Sequence, residues 1–178
     1  MSDSLVDVAL LAYGGPERPE QIVDFLQRLM GRTPDAKTIA VVQERYALIG
    51  GASPLPAITV RQAAALQAKL IQELAFPLRV RHGFLYTEPT VSDCVRGLDG
   101  HEVIALPMSP FASRLTSEKY KTQIAAAEDP TTGGQGRAIP LLEGWFASRG
   151  FIKALSRRAA ERRYSMPRHS ICSRSTMS

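Results

Sequence analysis

The sequence predicts an α/β fold: one domain with a four-stranded, mainly parallel sheet flanked by helices. Three observations carry this expectation. Short apolar runs of strand length alternate with longer segments of helical period. Glycine and proline breakers fall between them. A chain of 178 residues, 44% of them hydrophobic, has the size and composition of one compact domain, taken as residues 1–160, followed by a tail over 161–178. Strands that alternate with helices imply right-handed crossovers and a sheet covered on both faces.

The first strand is the apolar run Leu5 to Ala12, halted by Gly14-Gly15-Pro16. Ile22, Phe25, Leu26 and Leu29 then recur on one face of a helix that Gly31 ends. A second helix is expected from about Ala36 to Ile49, with Ile39, Val42, Tyr46 and Ile49 as its stripe and Gly50-Gly51 as its stop. Pro56 opens a third, with Leu66, Leu70 and Leu74 at four-residue spacing. Leu78 to Tyr86 reads as a strand, and Glu88-Pro89 as a helix start, because the missing N–H of proline costs nothing in a first turn. Val91, Cys94, Val95 and Leu98 supply that helix's buried side. Glu102 to Met108 is the third strand, a helix follows from about Thr116 to Ala127, Arg137 to Leu142 is a fourth short strand, and a last helix runs from Trp145 to about Arg162.

Ligands of parallel α/β sheets bind at the carboxyl ends of the strands. Tyr13 to Pro16, Tyr86 to Pro89 and Met108 to Thr116 belong to that edge. The insertion over residues 14–77 is longer than an ordinary crossover, and its helices are expected to form a flap over the strand ends. A large flat ligand suits such a cleft.

Composition removes several function classes. Cys94 and Cys172 form no C-x-x-C pair, and His82, His101 and His169 are scattered without metal-ligand spacing, so neither a zinc nor an iron–sulfur site is expected. The net charge of +5 owes much to Arg157, Arg158, Arg162, Arg163, Arg168 and Arg174. With no nucleic-acid motif or aromatic platform beside it, that run reads as a solvated helix face and a disordered tail. The apolar stretches are too short to cross a bilayer and the acidic start at Asp3 is unlike a basic leader, so a cytoplasmic protein without a transmembrane segment is expected.

Two segments carry candidate chemistry. Gly14-Gly15 matches neither G-x-G-x-x-G nor the P-loop, which makes a tight turn the plainer reading than a phosphate cradle. Arg45-Tyr46-Ala47-Leu48-Ile49-Gly50-Gly51-Ala52-Ser53-Pro54-Leu55 puts a guanidinium and a phenol at a helix end and returns a hydroxyl at Ser53. Such a cluster fits an acidic, planar ligand, since arginine grips carboxylates bidentately and hydroxyls add donors. The structural alternative stands beside it: Tyr46 in the core, Ser53 as a helix cap, Arg45 solvated.

A strand ending in Ala12-Tyr13-Gly14-Gly15-Pro16, followed by a helix and then Arg45-Tyr46 through Ser53-Pro54-Leu55, resembles the opening half of ferrochelatases. These enzymes insert ferrous iron into a porphyrin. The likeness continues through Tyr86 to Pro89, Leu106 to Tyr120 and Trp145 to Leu155. It implies one chelatase-like domain of the two that enclose a porphyrin cleft, acting in haem biosynthesis as a lyase. It further implies that Tyr13 faces the metal centre as a candidate axial ligand, and that Arg45, Tyr46, Ser53 and Tyr120 contact the porphyrin or shape its cleft. Fe2+ and porphyrin are then substrates, with no permanently bound cofactor. A family arginine near the end of the first helix falls at Leu29-Met30-Gly31, with Arg28 and Arg32 as neighbouring substitutes.

Metal insertion needs a base and an iron ligand close together, because two pyrrole protons must leave as the ion enters. The family's histidine, in an A-H-S-L-P motif, and its glutamate both belong to the second half. His169-Ser170 lacks the surrounding motif, and the expectation is a catalytically incomplete chain, with a frameshifted or degraded gene as one explanation for the arginine- and serine-rich ending. The competing expectation is a non-catalytic tetrapyrrole-binding or inert remnant domain. A homodimer, or association with a missing second half-domain, would cover the apolar surface that a single half leaves open.

Overall fold

The computed structural model describes residues 5–74 and 76–165. The chain divides into two compact units, residues 1–143 and 144–178. The first holds strands β1 (Val6–Ala12), β2 (Leu78–Phe84) and β3 (Glu102–Pro107), and helices α1 (Ile22–Met30), α2 (Ala36–Ala47), α3 (Leu55–Leu74), α4 (Val91–Arg96) and α5 (Arg114–Glu128). The second holds a 3-10 turn, Trp145–Ala147, and α6 (Arg149–Ser165). Within it the rings of Trp145 and Phe151 meet edge to face, 5.2 Å between centroids. The expected tail beyond Ser165, with His169 and Cys172, lies outside the described residues.

β1 is the central strand, paired in parallel with β2 on one side and β3 on the other. Right-handed crossovers leaving in opposite directions put α3 and α4 on opposite faces. On one face Ala9 and Leu11 of β1 and Val103 and Ala105 of β3 pack with α1, α4 and α5 through Ile22, Phe25, Leu26, Val91, Cys94, Val95, Tyr120 and Ile124. The alternate residues of β1, Val8 and Leu10, are buried outside that cluster, as the period of two requires. α3 packs against β2 and buries Pro56, Thr59 and Ala63, while the side-chain oxygen of Gln67 accepts from the N–H of Val80.

Local signals set the helix ends. Gly31 closes α1 at φ 67, where a side chain would be strained. Asp35 caps α2 by accepting from the N–H of Thr38 at 2.8 Å. Thr90 and Asp93 form a reciprocal capping box at α4, so this helix starts at Val91 on a threonine cap rather than on Pro89. The hydrogen bonds from Thr90 hold the Asp93 carboxyl below its ordinary value.

The described sheet has three strands, not four. Ala105 donates to Pro140 at 2.9 Å and Leu142 donates to Ala105 at 2.8 Å, so the 137–142 segment reaches the edge of β3 and makes one isolated bridge. In a parallel ladder the next rungs on either side would need the N–H of Pro140 and the N–H of Pro107. Neither exists, and the ladder ends after one rung. Two expected stripes also change. Ile39, Val42 and Tyr46 do pack on the core, whereas Ile49 is 61% exposed beyond the end of α2. On α3 the buried line runs through Pro56, Thr59 and Ala63, leaving Leu74 exposed. His82 lies in β2 against the ring of Phe84, and burial pushes its imidazole below the usual value. His101 sits exposed one residue before β3.

Gly83 lets α4 ride directly on β2. A Cβ there would stand 2.7 Å from Cys94 Cβ and 3.0 Å from both the Thr90 oxygen and Val91 Cα. Backbone cannot yield as a side-chain tip can. Gly83→Ala will therefore destabilise the chain by about 1–3 kcal/mol, the range for overpacking, read as a lower urea midpoint with an unchanged slope.

Candidate functional site at the carboxyl edge of the sheet

All three strands run the same way, so the loops that follow them open on one edge. Tyr13 leaves the end of β1 and stands 42% exposed. Its ring meets that of Tyr86, which follows β2, at 4.7 Å between centroids and 61° between planes. Phe25 of α1 packs edge-on against the other side of Tyr86, at 6.3 Å. From α5, Lys119 Nζ donates to the Tyr86 hydroxyl at 2.6 Å and lies 4.9 Å from its ring centre. Tyr120, the next residue, is 3% exposed within the core. Burial first, then the nearby Tyr86 and Tyr13 hydroxyls, raises its phenol. Tyr13 is raised in the same way, by burial and then by Tyr86, with the Lys119 ammonium pulling against the shift.

The 45–55 segment reaches this edge by backbone contact. The N–H of Ser53 donates to the carbonyl of Pro16 at 2.7 Å. A Cβ on Gly15 would stand 2.6 Å from Ser53 Oγ and 3.9 Å from the Tyr46 hydroxyl. Glycine at position 15 is thus what lets the two loops touch, which accounts for Gly14-Gly15 without a phosphate. Gly14, at φ 84, gives the same closeness to the end of β2, where its Cβ would stand 2.9 Å from Phe84 Cβ. Ser53 Oγ accepts from Leu55 N at 3.2 Å at the start of α3, as the expected cap would. Tyr46 is half-buried against the core, and burial raises its phenol. Arg45 is exposed at the end of α2.

Sequence reasoning had not selected Lys119, nor the ion pair of Arg28 Nη2 with Glu88 Oε1 at 2.6 Å. Lys119 looks like one more cation in a charged helix until the fold lays it on Tyr86. Beside these residues lies an open groove of about 580 Å3 between α1, the loop after β2, and α5. Among the described residues no group of three or more His, Cys, Asp or Glu side chains is placed to hold a metal ion. No described helix is long and apolar enough to cross a membrane.

The ferrochelatase family profile matches residues 6–174, nearly the whole chain. This chain belongs to the ferrochelatase family. It is 31% identical over 173 residues to the coproporphyrin III ferrochelatase of Anoxybacillus flavithermus, covering 93% of this chain and 53% of that protein. The ferrochelatase of Parasynechococcus marenigrum is 32% identical over 179 residues, covering 89% and 45%. The coproporphyrin III ferrochelatase of Bacillus subtilis is 29% identical over 174 residues, covering 94% and 54%. The chain thus spans about half the length of the curated relatives it matches. Of the two arginines beside Leu29-Met30-Gly31, Arg28 pairs with Glu88 at the groove, and Arg32 lies past the end of α1.

Proposed function

We propose that this chain holds an acidic porphyrin at the carboxyl edge of its sheet, as one half of a ferrochelatase-type site that inserts Fe2+ into it. The observation that supports this most is the meeting of Gly15 and Pro16, in the loop that begins at the exposed Tyr13, with Ser53 and Tyr46, residues separated by some three dozen positions. In this reading Tyr13 faces the metal centre, Arg45 and Ser53 take porphyrin carboxylates, and Tyr46 and Tyr120 shape the cleft. Fe2+ and porphyrin are substrates, and the setting is the cytoplasm. A second copy, or a second half-domain, supplies the opposite wall and the base.

Titration of coproporphyrin III into the purified chain tests the reading through the porphyrin absorbance band. Binding is expected to saturate, and Arg45→Ala is expected to weaken it about tenfold, the worth of one charge-assisted hydrogen bond. Tyr13→Phe is expected to keep binding of the free base and to alter the spectrum of the iron complex. Absence of any spectral change with the wild-type chain would reject the porphyrin site. Binding without iron-dependent turnover would mean that a second copy of the chain does not supply the base.

A further inference from the structure

Lys119 differs from the other partly buried cations of residues 1–143. Arg79 is paired with Asp7 and Asp99, and Arg137 with Glu128. Lys119 is partly buried on α5, yet among the described residues its only polar partner is the neutral hydroxyl of Tyr86. An ammonium carries three donors, so two remain to be used, and no carboxylate among the described residues is paired with it. The side chain lines the open groove of about 580 Å3, whose walls include Leu85, Tyr86 and Leu115. Apolar walls lower the local dielectric and strengthen any charge pair formed there.

The other charges of the groove leave Lys119 uncompensated. Glu118 also lines it but pairs with Lys121 at 3.3 Å. Arg28, from α1, is tethered at Nη2 by Glu88, an exposed residue that gives up little on releasing it. The groove thus carries one cation, Lys119, with no paired carboxylate, and a second, Arg28, held only by an exposed one. Tyr86 is the wall it shares with the exposed ring of Tyr13.

We propose that Lys119, with Arg28 across the groove, receives a carboxylate arm of the acidic planar ligand whose ring rests on the Tyr13 side of Tyr86. This rests on the porphyrin reading above and adds a residue to the contacts that the family resemblance implies, Tyr13, Arg45, Tyr46, Ser53 and Tyr120. The bound carboxylate takes the two unused N–H groups of Lys119, while Tyr86 keeps the third and fixes where the ammonium points. Lys119 then selects for the number and placement of acidic arms.

The test compares coproporphyrin III with its tetramethyl ester, both titrated into the full chain and into Lys119→Met, Lys119→Arg and, as a charge control on the same helix, Lys121→Met. Lys119→Met is expected to bind the free acid about tenfold more weakly than wild type, to bind the ester unchanged, and to show a shallower salt dependence. Lys119→Arg should keep most of the affinity, and Lys121→Met should match wild type. Thermal unfolding of each variant checks that it is folded. Equal losses for acid and ester would make Lys119 a packing residue and overturn the proposal, as would wild-type affinity in Lys119→Met. A wild-type chain that binds neither compound would overturn the porphyrin reading and this inference together.

Discussion

Arg79→Met will destabilise the first unit by about 3–5 kcal/mol, the cost of stranding one member of a buried ion pair. Asp7 lies on β1 with no exposed surface. Its carboxylate accepts from Arg79 Nε and Nη2, each at 2.7 Å, and from the N–H of Gly100 at 2.7 Å. These bonds tie the starts of β1 and β2 and the turn before β3 at the edge of the sheet opposite the candidate site. Arg79 also reaches the exposed Asp99, and these hydrogen bonds hold its guanidinium firmly charged. Removing the arginine leaves a carboxylate at the centre of the sheet with one backbone donor. Removing the carboxylate instead leaves the partly exposed Arg79 paired with Asp99, so Asp7→Ala is expected to cost less than Arg79→Met. The paired change Asp7→Leu with Arg79→Leu should recover much of the loss, since no charge is then stranded. Urea unfolding of the variants reads the order directly. Equal costs for the single changes, or a double variant worse than both, would reject this account.

Arg137→Met carries the second large effect, again about 3–5 kcal/mol at neutral pH. Its Nη2 donates to Glu128 Oε1 at 2.6 Å and its Nη1 to the Leu98 carbonyl at 3.1 Å. One side chain thus joins the end of α5, the turn after α4 and the segment that bridges to β3. The hydrogen bonds from Arg137 lower the Glu128 carboxyl below its ordinary value. A carboxyl whose folded pKa is depressed contributes stability that is present above its unfolded pKa and lost as pH falls through the folded one. Wild type should therefore lose this contribution below about pH 4.5, near the reference value for glutamate. In Arg137→Met the buried carboxyl has no cation, burial favours its protonated form, and the sign reverses. The gap between the two proteins is expected to narrow as pH falls from 7 to 4. A gap that stays constant would mean that Arg137 acts through packing and its carbonyl contacts alone.

Both networks escaped the sequence. Asp7 sits in an apolar run where a lone acid reads as an interruption, and its partner is 72 positions away. Glu128 and Arg137 are nine positions apart, but the pair closes only when the 129–136 turn folds back, with Gly134 N donating to the Asp129 carbonyl at 2.8 Å. The candidate site divides in the same manner. Tyr13, Arg45, Tyr46, Ser53 and Tyr120 stand in sequence motifs that mark them without any knowledge of contacts. Lys119 carried no motif, and only its position over Tyr86 marks it.

The fourth strand shows the boundary most clearly. Ile139 and Leu141 gave the segment its strand-like pattern, and both are half-buried against the core as that pattern asked. Which N–H groups face β3 depends on register, and register placed Pro140 and Pro107 at the two rungs that needed donors.

The sequence by itself determined the family, the order of the three strands and the helices between them, the end of α1 at Gly31 and the start of α2 at Ala36, because caps, periods and turns act within a few residues along the chain. The tertiary structure alone decided the three-stranded sheet, the two buried ion pairs and the surroundings of Lys119, because those depend on register and burial between segments that meet only when the chain has closed on itself.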